Sequence, residues 1–523
     1  MLENALAIFS ARIPSHNAKS SIQSNFLISR YPMRRFFLLP GTWLLLLLHA
    51  ACAPVGPEYR PPAADLPDTW GGGQELAAPA AADHSQRWWG LFDDPILSRL
   101  VDRAIEANHD LRIAASRITA ARARLRQTAA EASPAVNAGA GSTHARRSDN
   151  AGTDGGSRDL YEAGFDAAWE IDLFGGRRRA IEAATATLAA SEENRRDILI
   201  SLEAEVARTY FELRGSERLL ATARNTLAAQ EKTLAVVAGR RQLGLASALE
   251  AARAETQKSL VAAQIPALEQ KIAAGRNQLA LLLDLPPTEM ARRLANAAPA
   301  FTLPPTLPAG LPSDLLRRRP DIRQAERLLA TATAEVGVAT ADLFPRFSLS
   351  GLIGLQSSSL SDLVSTNSRF WSIGPSVSLP VFNRRRLRAA VTITEAALEE
   401  MQATYEKIVL AALLETETAL VNYSSEQETR SRLAAAVETG SQALVFNEGL
   451  YAAGLADLTD VLASQRTLFA AREQLIVSDQ RLAVAVIALY KTLGGGWQIA
   501  GEPAPVAAAG TTQSIPPATG TAP

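Results

Sequence analysis

Few side chains in this chain could perform covalent chemistry. Its 523 residues hold five histidines and one cysteine. The histidines, His16, His49, His84, His109 and His144, are scattered, with no pair at a metal-ligating or acid–base spacing. One cysteine excludes an internal disulfide, and a Cys/His metal site is not expected. No nucleophile motif and no phosphate-cradling glycine loop is present. The residues therefore argue against an enzyme, with no catalytic group, metal ligand or cofactor expected. The exception is the lone thiol, Cys52, which directly follows the small pair Ala50-Ala51. A thiol in that setting is a candidate for covalent lipid attachment.

The residues before Cys52 support this chemistry. Arg34 and Arg35 form a positive start, and residues 36–48 form an apolar run of 13. This is the layout of a secretory signal, too short to span a membrane. Met33 fits the true start, because a charged n-region rarely lies so deep. The cut site has the form of a bacterial lipoprotein box, departing from it at His49, where an aliphatic residue is usual. The other reading is an ordinary signal with an incidental cysteine. Ala53 after the cysteine favours the outer membrane over the inner one. No other run of about 20 apolar residues occurs, so helical membrane spans are not expected. Residues 1–51 hold five of the 53 Lys/Arg and one of the 54 Asp/Glu, so the remainder carries net charge −5. No basic excess points to nucleic acid.

The elements that could position a site are long and duplicated. Residues 53–90 and 502–523 are rich in Pro and Ala and read as a tether and a tail. Between them, 108–114 matches 319–325 at an offset of 211, and Pro134 maps onto Pro345. Leu173-Phe174-Gly175-Gly176-Arg177-Arg178-Arg179 matches Val381-Phe382-Asn383-Arg384-Arg385-Arg386 at about 208. Gly244-Leu245-Ala246-Ser247 matches Gly454-Leu455-Ala456-Asp457 at 210. Each half thus carries the same order of elements. The resulting division is 1–51 extension and signal, 52–90 lipid-anchored tether, 91–284 first repeat, 285–312 Pro-rich linker, 313–497 second repeat and 498–523 tail.

Asp94-Pro95 opens a helix as cap and first residue. Helices are expected at 110–132 and 320–343, each ended by a proline. Very long helices are expected at 177–241 and 384–453, returning as shorter ones at 247–283 and 457–493. Leu199, Val206, Leu213, Leu220, Leu227 and Leu234 recur every seven residues, a coiled-coil seam. Before each long helix lie segments of period-2 alternation. Phe165, Ala167, Trp169, Ile171 and Leu173 oppose Asp166, Ala168, Glu170 and Asp172. Phe347, Leu349 and Ile353 oppose Arg346, Ser348 and Ser350, and Trp371, Ile373, Val377, Leu379 and Val381 oppose Ser372, Gly374, Ser376 and Ser378. A weaker strand is expected at 135–143, with loops at 144–159 and 357–369. One apolar and one polar face suit a membrane barrel, but two hairpins are too few to close one, the smallest having about eight strands. Several chains must contribute, and three would give 12 strands. The fold class is therefore mainly α with a small β part: a duplicated protomer with four transmembrane strands and long coiled-coil-like helices that form an α-barrel.

Four motifs, in order, carry a family resemblance: Trp169-Glu170-Ile171-Asp172-Leu173-Phe174-Gly175, Arg318-Arg319-Pro320-Asp321-Ile322-Arg323-Gln324-Ala325-Glu326, Leu343-Phe344-Pro345-Arg346-Phe347-Ser348-Leu349 and Leu489-Tyr490-Lys491-Thr492-Leu493-Gly494-Gly495-Gly496-Trp497. With the duplication, they make residues 53–497 resemble the TolC/OprM outer-membrane efflux family, specifically its NodT-like lipoproteins. The resemblance implies a homotrimeric channel in the outer membrane of a Gram-negative bacterium, with its helical part in the periplasm. It also implies a periplasmic adaptor and an inner-membrane pump, often of the RND type, as partners, and passage of drugs or other solutes to the outside.

The same resemblance implies a gate. Asp460 falls on the first aspartate of the family's Gly-x-x-x-x-x-Asp-Val-Leu-Asp pattern, and Ala463 stands at the second. Asp457, three residues before Asp460, could replace the missing carboxylate or simply cap the helix. Rings of carboxylates on a three-fold axis attract cations and can block anions. The turns Gly244-Leu245 and Gly454-Leu455 resemble the tips that adaptor hairpins reach, although the glycines also permit a left-handed turn. Arg177–Arg179 and Arg384–Arg386 could hold anionic groups near the membrane or be solvated helix-start charges. The competing function is a structural lipoprotein, a coiled-coil spacer between membranes, for which amphipathic strands would have no use.

Overall fold

The computed structural model describes residues 54–62, 66–67, 69–71, 87–146, 148, 150, 156–294 and 315–495. The signal, Cys52 and the tail lie outside the described residues. In chain order the elements are α1 (Pro95–Ala107), α2 (His109–Ala130), β1 (Ala135–Arg146), β2 (Ser157–Ile171), α3 (Gly176–Gln242), α4 (Ala248–Leu282), α5 (Pro287–Leu294), α6 (Pro320–Ala341), β3 (Arg346–Ser357), β4 (Arg369–Ser378), α7 (Arg384–Ala452) and α8 (Leu458–Thr492). A 3₁₀ turn at Trp88–Phe92 precedes α1. The 67 residues of α3 and 69 of α7 extend roughly 100 Å each.

The four strands form one antiparallel sheet in the order β1-β2-β3-β4. Its register aligns the apolar residues into rows: Phe165 with Ile353 and Ile353 with Trp371, Ile171 with Phe347 and Phe347 with Val377. The opposite face aligns polar ones, such as Asn137 with Asp166 and Glu170 with Ser348 and then Ser376. The β1–β2 hairpin is longer than the 135–143 strand and 144–159 loop expected. Pairing continues to Arg146 and Ser157, where His144 Nδ1 lies 2.6 Å from Asp159 Oδ1. Leu173, Leu379 and Val381 fall beyond the ends of their strands, in the turns leading into α3 and α7.

The shorter helices stack end to end beside the long ones, and the stacking joints are built alike in both repeats. Asn108 caps α2 by accepting from the Asp110 and Leu111 amides, and its Nδ2 donates to the Leu282 carbonyl at the end of α4. At the equivalent joint, Arg319 Nη1 donates to the Thr492 carbonyl at the end of α8. Arg319 also grips both oxygens of Asp321 and reaches Glu415 on α7 at 2.9 Å. The Arg-Pro-Asp motif is thus a clamp among three helices. Its neighbour Arg323 pairs with Glu193 on α3 at 2.7 Å.

The main core lies at this level. Trp88 stacks on Tyr490 with centroids 5.6 Å apart, and Phe92 meets Phe211 at 4.5 Å. Asp94 caps α1 through the Ile96 and Leu97 amides and accepts from the Tyr210 hydroxyl. The segment read as tether therefore contributes to the core, since Trp70, Trp88 and Trp89 are buried. Within the expected linker, α5 forms because Pro287 suits a first helical position and Met290 and Leu294 are buried. The heptad seam holds in the upper half of α3, where Leu199, Val206 and Leu213 are buried. In the lower half, Leu220, Leu227 and Leu234 are only half-buried, and the buried stripe shifts to Ala223, Thr226, Gln230 and Val237. The shift follows a change of neighbour: there α3 also packs on α8, through Val237, Leu458 and Leu462.

Candidate functional site

The candidate site is the pair of turns at the ends of α3 and α7 remote from the sheet. Both use one local construction. At the first, Gly244 has φ 72°, its amide donates to the Arg241 carbonyl at 3.0 Å, and the Leu245 amide donates to the Arg240 carbonyl at 2.8 Å. At the second, Gly454 has φ 77°, with bonds to the Tyr451 carbonyl at 3.1 Å and from Leu455 to the Leu450 carbonyl at 2.9 Å. These are helix C-terminal motifs that need a left-handed residue. A Cβ on either glycine would meet nothing within 4 Å, so conformation rather than space calls for glycine. The following leucines stay exposed, Leu245 at 64% and Leu455 at 76%. Each tip thus offers an apolar knob to the surroundings.

The helices after the two tips begin differently. Ser247 forms a capping box: the Glu250 amide donates to Ser247 Oγ, and Glu250 Oε2 accepts from the Ser247 amide at 2.6 Å. Those bonds hold the Glu250 carboxyl below its ordinary pKa. Asp457 occupies the equivalent cap position, but its side chain accepts no helix amide. Asp457 and Asp460 are both exposed, and neither carboxylate has an ion-pair partner among the described residues. Ala463, one turn further, is also exposed. The face of α8 that carries Asp457 and Asp460 therefore presents two free carboxylates and then a methyl group.

The tips are tied to each other by contacts that no sequence pattern announces. Arg253 Nη1 donates to Thr459 Oγ1 at 2.8 Å, one residue from Asp460. Arg240 donates to the Tyr451 carbonyl at 3.3 Å and lies over the Tyr451 ring, 4.6 Å from its centroid. Gln230 Nε2 donates to Gln465 Oε1 at 3.1 Å in a buried position. Higher up, Asp479 on α8 accepts from Arg218 on α3 and Arg430 on α7, at 2.9 and 2.7 Å. Partners separated by 49 to 261 residues leave no local signal.

The remaining chemical residues do not gather. His109 meets Asp284 at 3.2 Å and His144 meets Asp159, each on the surface. No group of metal-ligating residues occurs among the described residues. His16, His49, His84 and Cys52 lie outside them. The junction arginines divide. Arg177 pairs with Glu131 and Glu170, Arg178 with Asp172, and Arg179 is buried against the Val55 carbonyl and Glu182. Arg384, Arg385 and Arg386 are exposed.

Comparison with known proteins agrees with this architecture. The outer membrane efflux protein family profile matches residues 100–284 and again 311–495. The solvent efflux pump outer membrane protein SrpC of Pseudomonas putida is 34% identical over 475 residues, which is 89% of this chain and 99% of that protein. The probable outer membrane lipoprotein SilC of Salmonella typhimurium is 31% identical, over 86% of this chain and 97% of its own. Among solved structures, the outer-membrane channel OprN superposes with TM-score 0.81 at 34% identity, covering 85% of this chain and 99% of its own. The chain belongs to the outer membrane efflux protein family, with the fold of its TolC-like channels.

Proposed function

We propose that three copies of this chain form a gated exit duct in the outer membrane. A periplasmic adaptor and an inner-membrane pump deliver solutes to it, and the duct carries them to the exterior. The observation that carries the reading is the sheet. Its apolar face is exposed across all four strands, with Val136 at 65%, Phe165 at 57%, Ile353 at 62% and Trp371 at 75%. Such a face is costly in water and suits lipid. Strands β1 and β4 leave unpaired edges, and a sheet in a membrane must close. Three copies of four strands give 12, within the range of natural barrels.

Lipid on Cys52 belongs to this proposal. Pro54 packs against Gly175 at the base of the sheet, and the Val55 amide donates to the Phe174 carbonyl at 3.0 Å. A lipid attached two residues earlier would enter the membrane beside its own barrel. The gate is assigned to Asp457 and Asp460, whose carboxylates are unpaired at the tips. The adaptor is assigned to the Gly244-Leu245 and Gly454-Leu455 turns, where the apolar knobs stand. The duct itself carries out no covalent step, and energy comes from the pump.

Single-channel conductance in a planar bilayer tests the reading, with wild type beside Asp457→Ala/Asp460→Ala. Small, mostly closed currents that grow in the double variant are expected. A membrane-inserted sample without conductance in either form would remove the duct and leave a spacer lipoprotein. A wide-open wild type would keep the duct and refute the aspartate gate.

A further inference from the structure

The two strand-to-helix junctions are repeats of one another, yet their arginines are in opposite states. In the first, Arg177, Arg178 and Arg179 have acidic partners in Glu131, Glu170, Asp172 and Glu182. In the second, Arg384, Arg385, Arg386 and Arg388 are all exposed, and no ion pair or hydrogen bond engages their guanidinium groups among the described residues. The sequence explains the difference. Shifted by 208, Glu170 becomes Ser378 and Asp172 becomes Pro380. Shifted by 211, Glu131 becomes Asp342, which is taken by Arg346 at 2.6 Å. The first junction is also covered by Pro54–Gly56, whose Gly56 lies against Gly337. No described segment covers the second.

Four cations at the start of a helix are disfavoured by its dipole, so they call for countercharge from outside. In the proposed trimer, the element that the repeat places nearest brings no free carboxylate to them. Since α6 lies beside the start of α3, the repeat places the end of a neighbour's α2 beside the start of α7. That end is itself basic, with Arg124 and Arg126 exposed and unpaired, and its one acid, Glu131, already pairs with Arg177. Immediately before the cluster, in the turn that follows β4, Leu379, Val381 and Phe382 are 52%, 61% and 101% exposed. Apolar side chains followed at once by a basic cluster match the boundary between acyl chains and anionic headgroups.

We infer that Arg384, Arg385, Arg386 and Arg388, with Phe382 beside them, form a binding surface for anionic phospholipid headgroups at the periplasmic rim of the barrel. The inference rests on the sheet being the membrane-spanning part. Phe382 sits in the acyl region, and the four guanidinium groups hold headgroup phosphates through charge-assisted hydrogen bonds. Repeated three times, the surface forms a belt that fixes the depth of the barrel.

The test uses the full trimer in nanodiscs of phosphatidylcholine, with and without phosphatidylglycerol. Phosphatidylglycerol retention is counted by native mass spectrometry, and conductance is recorded from the same preparations. Wild type should retain phosphatidylglycerol selectively, and raised salt should release it. Arg385→Gln should weaken retention about fivefold, and the quadruple Gln variant by more than a hundredfold. Arg466→Gln/Arg472→Gln on α8 should leave it unchanged. Equal retention by wild type and variants, or salt-independent retention by wild type, overturns the inference. So does a changed ion selectivity of conductance with unchanged lipid retention, which would put the arginines on the water duct. Should the quadruple variant fail to assemble, the single variant and the wild-type salt series still decide. Absence of any wild-type conductance would instead strike the membrane-channel reading beneath.

Discussion

Glu203 shows how far one residue can depart from its ordinary chemistry in this fold. It lies on α3, 1% exposed, under Trp88, whose indole N–H hydrogen-bonds it. Burial raises its pKa from 4.5 to about 9, and the indole bond only partly opposes that. The carboxyl is therefore protonated in the folded protein at neutral pH. Between about pH 4.5 and 9 the folded chain holds a proton that the unfolded chain has released. Stability from this group is full below that window and is lost as pH rises through it, by at most about 1.4 kcal/mol per pH unit. Glu203→Gln keeps the shape without the proton. Its thermal midpoint should vary less with pH across the window than that of wild type, and exceed it at pH 8. Parallel pH curves for the two proteins would show that Glu203 ionises without cost.

At the scale of elements, the two tips make a controlled comparison. Ser247 caps α4 with a reciprocal box, whereas Asp457 stands at the cap of α8 without bonding its amides. Ser247→Ala should cost about 1 kcal/mol at the start of α4, seen as lost amide-exchange protection there. Asp457→Ala should cost little at the start of α8. Comparable losses at both would make Asp457 an ordinary cap and weaken its assignment to the gate. Element-scale features were also the most legible in the sequence. Both Gly-Leu-Ala turns, the proline-ended helices and the strand alternation mark positions to within a few residues, because each reflects a local constraint on φ or on facing. The ties that set the tips relative to one another were not legible. Arg253 with Thr459, Arg240 with Tyr451 and Gln230 with Gln465 depend on which helices become neighbours. The leucine seam misled for the same reason, since α3 changes partners halfway down and its buried stripe moves with them.

For the whole molecule, the question is what covers the faces a single protomer leaves open. On α7, Leu410, Leu414 and Val421 are 58%, 59% and 48% exposed and lie along one face. The internal repeat relates α7 to α3 with an offset of 208 at one end and 210 at the other. Either offset carries these residues onto buried positions of α3: Ile200 or Leu202, Ala204 or Val206, and Phe211 or Leu213. The fold has therefore built the same apolar stripe twice and covered it once. Among the described residues α6 packs on both long helices, whereas α2 packs on α3 and not on α7, so in the proposed trimer the open face of α2 is the natural cover for a neighbour's α7. In the proposed trimer, repeating that contact closes a ring and joins β4 of one copy to β1 of the next. Burying one leucine contributes about 1.5–3 kcal/mol, and the ring repeats each contact three times. Leu410→Glu/Leu414→Glu should convert the trimer to monomers in native mass spectrometry while circular dichroism still reports the helices. Lys407→Glu/Glu428→Lys, polar changes on the same helix, should leave the trimer intact. A trimer that survives the leucine changes would require that the sheet edges alone hold it together, and would move the site of assembly from the helical duct to the barrel.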